Sequence, residues 1–164
     1  LTYMWENNTL HRDIKPENIQ ITADNKIKLM DLGIAKTEAE EFDVYLTQKE
    51  TIVGSYPYIP PERLKGDNAD YRSDIYSLGA TYYHLLTGMP PYLDTYNGSG
   101  GRDLLDYLIK VRMKKMPTPI NKLVDIPDDV NNIIMQMLQL KINKRCNTPQ
   151  EFLENLENLY KSFL

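Results

Sequence analysis

The sequence contains a charged loop that reads His11-Arg12-Asp13-Ile14-Lys15-Pro16-Glu17-Asn18. Two short alternating segments, Ile19–Ile21 and Lys26–Met30, follow this loop, and the turn-forming residues between them complete the pattern of a small β-hairpin. Asp31-Leu32-Gly33 comes directly after the hairpin. Because a hairpin returns the chain to its starting end, we expect Asp31 to lie near Asn18 and Asp13.

The side chains gathered in this way suit one kind of chemistry. Asn18 and Asp31 supply two oxygen ligands of the type that a hard cation such as Mg²⁺ prefers. Asp13 adds a carboxylate and Lys15 adds an ammonium in the same cleft. Phosphoryl transfer needs charge neutralisation, positioning and a group that accepts a hydroxyl proton. The residues therefore predict magnesium-assisted phosphoryl transfer.

The rest of the chain is mainly helical by its pattern. Leu1 to Trp5 has the apolar spacing of the last turns of a helix. Residues 31–62 lose periodicity, and so long a stretch without regular structure in a compact domain is often functional. From Ile75 to Leu86 apolar or aromatic residues occupy nearly every face, and Gly88 stands where a helix stops. This pattern predicts a central helix that is buried all round.

Three more helices are predicted after the central one. A loop rich in Gly, Asn and Ser at 93–101 is followed by amphipathic spacing at 103–113 and at 130–140. Thr148-Pro149-Gln150-Glu151 has an N-cap, a proline at the first helical position and a capping-box glutamate, so it opens a last helix that runs to about Phe163. We therefore expect one domain that is mainly α with a small β-hairpin.

Composition excludes several classes of function. The 164 residues carry 19 Lys and Arg against 23 Asp and Glu, a formal charge of −4, without a long basic run. Nucleic acids and anionic membranes need clustered cations, so we expect neither as a partner held mainly by charge. Hydrophobic residues make up 41% of the chain, which is enough for a core and argues against disorder throughout.

Cysteine usage and the chain ends bear on the compartment. Cys146 stands alone, so it has no internal disulfide partner, and no Cys/His cluster has zinc spacing. No run approaches the ~18 consecutive apolar residues of a membrane span, and no targeting segment is visible at the first residues. We expect a cytoplasmic location, no membrane contact within this segment, and a chain cut from something longer.

Motifs beyond the hairpin extend the pattern. They are Gly54-Ser55-Tyr56-Pro57-Tyr58-Ile59-Pro60-Pro61-Glu62, Asp74-Ile75-Tyr76-Ser77-Leu78-Gly79, Leu86-Thr87-Gly88-Met89-Pro90-Pro91-Tyr92 and Lys144-Arg145. With the loop 11–18 and the triplet 31–33, their order and spacing resemble the eukaryotic-like (Hanks-type) serine/threonine protein kinase family, specifically its C-terminal lobe. The resemblance runs from Leu1 to about Leu159. It implies a kinase-like helical lobe with a catalytic loop at 11–18 and an activation segment at 31–62.

The resemblance assigns roles to residues of the two loops. Asp13 is implied to be the base that takes the proton of the acceptor hydroxyl, and Lys15 to sit beside the γ-phosphate. Asn18 and Asp31 are implied to bind Mg²⁺ and, with Lys15, to contact ATP. Gln20 falls where kinases usually place an apolar residue under the adenine ring, and a polar group there needs a hydrogen-bond partner or it weakens nucleotide binding.

Further implied roles concern the substrate and regulation. Ser55 matches the hydroxyl residue that contacts the base and the lysine in serine/threonine enzymes. Thr51 is the expected site of an activating phosphate, and Thr47 is a second candidate. A phosphate on Thr51 would bridge Arg12 and Lys36, because a buried guanidinium is costly until an anion pairs with it.

Five residues are given structural roles by the resemblance. Glu62 and Arg145 are implied to form a buried ion pair that ties the activation segment to the lower lobe. Asp74 is expected to accept backbone hydrogen bonds from the catalytic loop. His11 and Leu32 are expected to be packing residues inside the lobe.

The sequence lacks other parts that a kinase needs. It contains no glycine-rich phosphate loop, no strand lysine in the expected setting and no helix glutamate to pair with that lysine, so the N-terminal lobe is expected to be missing. The implied cofactors are ATP and Mg²⁺, and the implied partners are protein substrates and the N-terminal lobe of the same chain. We expect these 164 residues alone to have little or no kinase activity, and their oligomeric state is left open.

Two other functions stay open at this point. The lobe could belong to a pseudokinase or scaffold that acts as a protein-binding module, although Asp13, Lys15, Asn18 and Asp31 are all present. A small-molecule phosphotransferase of related fold is less favoured, because such enzymes generally lack a peptide-positioning segment like 54–62.

Overall fold

The structure is a computed structural model, and it describes residues 1–31, 55–98 and 102–164. Within these ranges the chain forms six α-helices, five single-turn 3-10 segments and one two-stranded antiparallel sheet. The helices are α1 (Thr2–Glu6), α2 (Pro61–Lys65), α3 (Tyr71–Thr87), α4 (Arg102–Arg112), α5 (Asp128–Met137) and α6 (Pro149–Lys161), and the strands are β1 (Ile19–Ile21) and β2 (Ile27–Leu29). The prediction of a mainly α lobe with a small hairpin is confirmed.

The predicted hairpin is present, and its strands pair in an antiparallel register. Ile19 pairs with Leu29 and Ile21 pairs with Ile27. The turn between the strands is closed by Thr22, whose hydroxyl accepts the backbone N–H of Lys26 at 3.1 Å. At the open end, the backbone N–H of Met30 donates to the carbonyl of Asn18 at 2.7 Å. The hairpin therefore returns the chain to the loop from which it started.

Helix α3 is the central post of the lobe. The Asp70 carboxylate caps its N-terminus by accepting the backbone N–H of Arg72, and Gly88 ends it with a left-handed φ of 76° that suits glycine. Gly79 permits the closest packing, since a Cβ built there would lie 2.8 Å from Cβ of Met137 on α5. The missing side chain lets α3 and α5 approach, so the lobe is built around this contact.

The expectation that the central helix is buried all round is wrong at its last turn. Residues 73–81 and Tyr83 are buried, but Leu85 is 61% exposed and Leu86 is 41% exposed. The apolar pattern fixes which residues can be buried, whereas coverage depends on where the neighbouring elements end. Among the described residues, the elements that pack on α3 leave this turn uncovered.

Three apolar clusters surround or adjoin α3. The first joins Trp5 of α1 to Ile75 and Leu78 of α3, and it includes Cys146 and Phe152. Burial raises the pKa of the Cys146 thiol. The second cluster packs α3 against α5, and the third packs α4 against the 3-10 turn Tyr56–Tyr58 and the following residue. The lobe thus presents its loops from a single packed scaffold.

The later helices start and end close to the predicted positions. Helix α4 spans Arg102–Arg112, one residue earlier than predicted, and α5 spans Asp128–Met137, so it ends before the predicted Leu140. At the start of α6 the Thr148 hydroxyl accepts the backbone N–H of Glu151. The Glu151 carboxylate accepts the N–H of Asn147, one residue further back than a capping box requires.

The predicted loop at 93–101 holds a short 3-10 turn at Leu93–Thr95, and its last residues lie outside the described ranges. No helix in the described ranges has the length and apolar character needed to cross a membrane.

Candidate active site

Two side chains of the loop 11–18 contact the carboxylate of a third. Lys15 Nζ lies 2.8 Å from Asp13 Oδ2, and Asn18 Nδ2 donates to the same oxygen at 3.0 Å. The Asp13 side chain is 35% exposed and that of Lys15 is 19% exposed, so the cluster is half-buried but open to solvent on one side. A carboxylate held by an ammonium and an amide is fixed in direction and still accessible to a ligand.

Asn18 is oriented by two acceptors. Its Nδ2 donates to the Asp13 carbonyl oxygen at 2.7 Å as well as to the Asp13 carboxylate, and the residue is 5% exposed. Because both partners are acceptors, the amide nitrogen must face them, which turns Oδ1 the other way. The 3-10 turn Pro16–Asn18 holds this residue in place directly before β1.

The loop is joined to a distant segment through Lys15. Its Nζ donates to the Ser55 hydroxyl at 2.7 Å, across 40 residues of sequence. The same ammonium therefore contacts Asp13 and Ser55 at once. The structure brings together the three side chains Asp13, Lys15 and Asn18, and it places Ser55 beside them.

Asp31 follows the hairpin at the end that faces this cluster. Its neighbour Met30 donates its N–H to the Asn18 carbonyl, and the Met30 carbonyl oxygen lies 2.9 Å from Nε2 of the fully buried His11. Asp31 itself is exposed and has a left-handed φ of 53°. The hairpin therefore brings the backbone of Asp31 to the loop, as the sequence predicts.

Several predicted site residues lie outside the described ranges. They are Leu32, Lys36, Thr47 and Thr51, together with Gly33 of the triplet. Gln20 is described: it is exposed, and it sits in the middle of β1 opposite Lys28. Its predicted position under the adenine ring stays a prediction.

Metal ligation within the described residues rests on few groups. No cluster of three or more His, Cys, Asp or Glu side chains occurs in the ranges 1–31, 55–98 and 102–164. Asn18 Oδ1 and the exposed Asp31 carboxylate are hard oxygen donors, the chemistry that suits Mg²⁺. Since Mg²⁺ usually keeps several waters and binds one or two protein oxygens plus phosphate, a small donor set of this kind fits it.

The backbone of the loop is tied to the central helix. Asp74 of α3, which is 1% exposed, accepts the N–H of His11 at 2.8 Å and the N–H of Arg12 at 2.9 Å. The Trp5 indole N–H donates to the same carboxylate at 3.0 Å. The sequence predicted the backbone contacts of Asp74, but the Trp5 contact, 69 residues away, was not foreseen.

Arg12 has a strained backbone, and a second arginine contacts it. Its φ is 69°, a left-handed value that is uncommon for a long side chain. Arg63 of α2 donates from Nη1 to the Arg12 carbonyl oxygen at 2.6 Å. Sequence reasoning missed Arg63, and the signal that points to it is its place directly after Glu62, next to the segment that carries Ser55.

Glu62 and Arg145 form a bidentate ion pair in the interior. The two hydrogen bonds measure 2.7 Å and 3.0 Å, and Ser73 of α3 donates to Glu62 at 2.7 Å. Arg145 also donates to the carbonyl oxygens of Arg72 and Gln139. Both charges are thus compensated, and the pair anchors α2 to α3 and to the start of the last helical region.

A second buried arginine supports the middle of the segment 55–62. Arg112 of α4 is fully buried and donates from Nη1 to the Ile59 carbonyl at 2.5 Å. Its Nε and Nη2, and the Tyr83 hydroxyl, have no hydrogen-bond partner among the described residues, and the buried hydroxyls of Tyr76 and Tyr92 interact with each other. Burial lowers the pKa of Arg112 and raises the pKa of each of these three tyrosines.

Tyr58 lies directly before Ile59, the residue whose carbonyl Arg112 holds. Its hydroxyl and His84 Nδ1 are 2.6 Å apart, the two rings are stacked, and its carbonyl accepts the Ser77 hydroxyl at 2.9 Å. Burial, with a smaller contribution from the charge of Glu17, raises the pKa of Tyr58. The segment is therefore held by side chains and by its own backbone.

Comparison with known proteins gives a consistent result. A family model described as "protein kinase domain" matches residues 1–156. The chain is 35% identical to the serine/threonine-protein kinase PknB of Mycobacterium leprae, over 95% of this chain and 24% of that protein. It is 34% identical to a probable serine/threonine-protein kinase of Clostridium acetobutylicum, over 100% of this chain and 23% of that protein.

A further relative, a probable serine/threonine-protein kinase of Clostridium perfringens, is 32% identical over 93% of this chain and 21% of its own length. The chain thus spans about a quarter of the length of the curated relatives that it matches.

Proposed function

The chain belongs to the protein kinase domain family, and from this premise we propose that it is the C-terminal lobe of a serine/threonine protein kinase. The proposed activity is transfer of the γ-phosphoryl group of ATP to hydroxyls of protein substrates, in the cytoplasm. One observation carries the proposal. Lys15 Nζ joins the Asp13 carboxylate to the Ser55 hydroxyl, with Asn18 on the same carboxylate oxygen.

Asp13 is proposed as the base. Lys15 and Asn18 both engage its Oδ2, so Oδ1 is the oxygen that we assign to the incoming hydroxyl. The hydroxyl oxygen attacks the γ-phosphorus, its proton passes to Asp13 Oδ1, and the nucleoside diphosphate leaves with the electrons of the broken P–O bond. The two donors on Oδ2 keep the carboxylate from rotating during this step.

Lys15 is proposed to balance charge. Its half-buried ammonium sits between the base and the segment that begins at Ser55, where it can face the transferred phosphoryl group. Ser55 in turn fixes the ammonium by accepting its hydrogen bond. A hydroxyl residue that contacts the lysine supports the assignment of serine and threonine, rather than tyrosine, as acceptors.

Asn18 and Asp31 are proposed as the protein ligands of Mg²⁺. Oδ1 of Asn18 is turned away from Asp13, and the hairpin brings the backbone of Asp31 to the loop. When bound, magnesium ions neutralise the charge on the ATP phosphates and hold them in line with the attacking oxygen. Asn18 is held by two hydrogen bonds to Asp13, so the amide oxygen that would bind the metal keeps a constant distance from the base.

Regulation by phosphorylation is proposed for the part of the chain that the structure does not describe. A phosphate on Thr51, or on Thr47 as the second candidate, would pair with Arg12 and Lys36. The support within the described residues is that Arg12 lies directly before Asp13 and has its backbone fixed by Asp74. Mapping of phosphopeptides in the active enzyme tests this proposal, and it fails if residues 47–55 carry no phosphate.

Gln20 favours one alternative, a nucleotide-free scaffold lobe. It is the exposed central residue of β1, at the position proposed to lie under the adenine ring. Direct titration of the full-length protein with MgATP decides between the two functions, because a scaffold would not bind nucleotide. We expect binding that tightens when Gln20→Leu removes the polar group.

The test of the proposed function uses the full-length protein, since we expect the glycine-rich loop and its lysine to lie outside these 164 residues. Wild-type protein is incubated with labelled MgATP and a peptide library, and the modified residues are identified. We expect phosphoserine and phosphothreonine, and a loss of activity by roughly a thousandfold or more in Asp13→Asn.

Asp24→Asn is the matched control. Asp24 is an exposed carboxylate in the hairpin turn, 11 positions after Asp13, and it contacts Lys26 and Thr22. We expect Asp24→Asn to retain activity. Equal activity in wild type and Asp13→Asn would contradict the proposed function.

A further inference from the structure

We propose that Arg63 is a positioning residue for Asp13, acting through the peptide bond between Arg12 and Asp13. This inference rests on the proposed function and assigns a role to a residue that the site described above does not use. It begins from the hydrogen bond of 2.6 Å between Arg63 Nη1 and the carbonyl oxygen of Arg12.

The first step concerns backbone strain. Arg12 has a φ of 69°, and a non-glycine residue persists in this strained region only where its surroundings impose the conformation. Two groups impose it here. Asp74 Oδ1 accepts the N–H of Arg12 on one side, and Arg63 donates to its carbonyl on the other. Removal of either group releases one end of the strained residue.

The second step concerns direction. The carbonyl of Arg12 and the N–H of Asp13 belong to one planar peptide unit, so fixing the oxygen also fixes the plane from which Asp13 emerges. The Asp13 N–H has a long contact of 3.4 Å with His11 Nδ1, which restrains the plane weakly. The charged hydrogen bond from Arg63 is therefore the stronger restraint on this peptide.

The third step concerns what Arg63 is attached to. It lies on α2, directly after Glu62, whose carboxylate is held by Arg145 and Ser73. Helix α2 continues the segment that starts at Ser55. The loop 11–18 and the segment 55–65 are thus joined at two points, Lys15 to Ser55 and Arg12 to Arg63.

These two contacts form a double clamp between the loop that carries the proposed base and the segment 55–65. Both contacts link the same two segments, so the formation of one contact restricts the conformations in which the other must form. Their effects on kcat should therefore not be additive. The double clamp makes the order of the segment 55–65 a condition for the correct direction of Asp13.

The experiment measures steady-state kinetics of the full-length protein with three variants. We expect Arg63→Ala to lower kcat by roughly tenfold or more, as for the loss of one hydrogen bond from a charged group, while the KM for ATP changes less than about twofold. Arg63→Lys keeps one cationic donor and should restore part of kcat. Lys65→Ala, an exposed site on the same helix, should match wild type.

A second kinetic test uses Ser55→Ala at the other contact. In a double-mutant cycle, the fold-loss in kcat for Arg63→Ala with Ser55→Ala should be clearly smaller than the product of the two single losses. A loss equal to that product would show that the contacts act separately and would overturn the double clamp.

Hydrogen exchange gives a readout that does not depend on activity. In Arg63→Ala the amides of Arg12 and Asp13 should exchange faster than in wild type, while those of α3 remain unchanged. Unchanged exchange at Arg12 and Asp13, or a rise spread over the whole lobe, would overturn the positioning role. If wild type transfers no phosphate, the proposed function fails, and the exchange measurement alone decides the role of Arg63.

Discussion

Two buried arginines hold the segment 55–62, one at Glu62 and one at Ile59, in opposite electrostatic situations. Arg145 meets the Glu62 carboxylate through two hydrogen bonds and donates to two carbonyl oxygens besides. Arg112 is equally buried, yet among the described residues it donates to the Ile59 carbonyl and lies 5.9 Å from the centre of the Tyr92 ring, without a carboxylate. The Glu62 end is fixed by a compensated pair, and the backbone at Ile59 is fixed by a lone cation.

This difference indicates which of the two arginines can be replaced without a large loss of stability. Removal of one partner of a buried ion pair strongly destabilises the protein, because the remaining charge has neither water nor a counter-ion. A buried cation without a carboxylate partner already bears its desolvation penalty in the native protein. Replacing that cation leaves no unpaired carboxylate in the interior. Burial alone therefore does not tell how much an arginine stabilises the lobe.

The largest effect is expected at Arg145. Arg145→Met should lower the free energy of unfolding by about 3–5 kcal/mol, because it strands the Glu62 carboxylate in the interior. Urea or thermal unfolding of the full-length protein measures the change. The double variant Arg145→Met with Glu62→Met should recover much of the loss, and a single variant as stable as wild type would break the comparison.

Alkaline pH should destabilise the lobe through its buried tyrosines. Burial raises the pKa of Tyr76, Tyr83 and Tyr92 above the unfolded value, so the neutral phenols contribute stability that is complete below about pH 10. That contribution falls as the pH rises toward the folded pKa values, at about 1.4 kcal/mol per pH unit for each tyrosine.

We expect the unfolding temperature to drop above pH 10, with phenolate absorbance rising in the same transition. Tyr83→Phe should reduce the slope of this drop. A flat unfolding temperature up to pH 11 would contradict the assignment of the alkaline loss to buried tyrosines.

Replacement of Arg112 tests the lone cation directly. Arg112→Met removes a desolvated charge and leaves the Ile59 carbonyl without its donor, two effects of opposite sign, so the free energy of unfolding should change by no more than about 1 kcal/mol. Lys110→Met, at an exposed site on α4, is the control. A loss as large as that of Arg145→Met would show that the two arginines are equivalent.

The smallest effects are expected from single hydroxyls. Tyr58→Phe removes a hydroxyl that is bonded to His84 and should destabilise by about 1 kcal/mol. Tyr83→Phe removes a buried hydroxyl that has no partner among the described residues, so it should be neutral or slightly stabilising at neutral pH. The difference in unfolding temperature between the two variants measures the contrast between a bonded and an unbonded hydroxyl. Equal losses of stability in the two variants would contradict it.

The local sequence pattern was sufficient to predict much of the fold and to place the residues of the loop 11–18 close together. The alternation at 19–21 and 26–30 specified the hairpin, and the hairpin in turn specified that Asp31 returns to the loop. The contacts among Asp13, Lys15 and Asn18 span five residues or fewer, so the loop sequence and a tight turn determine them.

Contacts between polar groups far apart in sequence were not predictable in the same way. Arg63 reaches Arg12 across 51 residues, and Trp5 reaches Asp74 across 69. Their partners are backbone carbonyls or shared carboxylates, which leave no periodic signal in the chain. The burial of Arg112 is similar, since α4 is amphipathic by pattern but the depth of its last turn depends on how α3 and the segment 55–62 pack.

The thiol of Cys146 offers a practical consequence of the way the first apolar cluster is built. It is 4% exposed, its pKa is raised by burial, and the chain contains one cysteine. A disulfide reagent can modify it when α1 and α6 part from the scaffold, because the thiolate forms only after access to water. The labelling rate of the Cys146 thiol therefore measures transient openings of that end of the lobe. A change in this rate after a ligand is added shows that the ligand alters those openings.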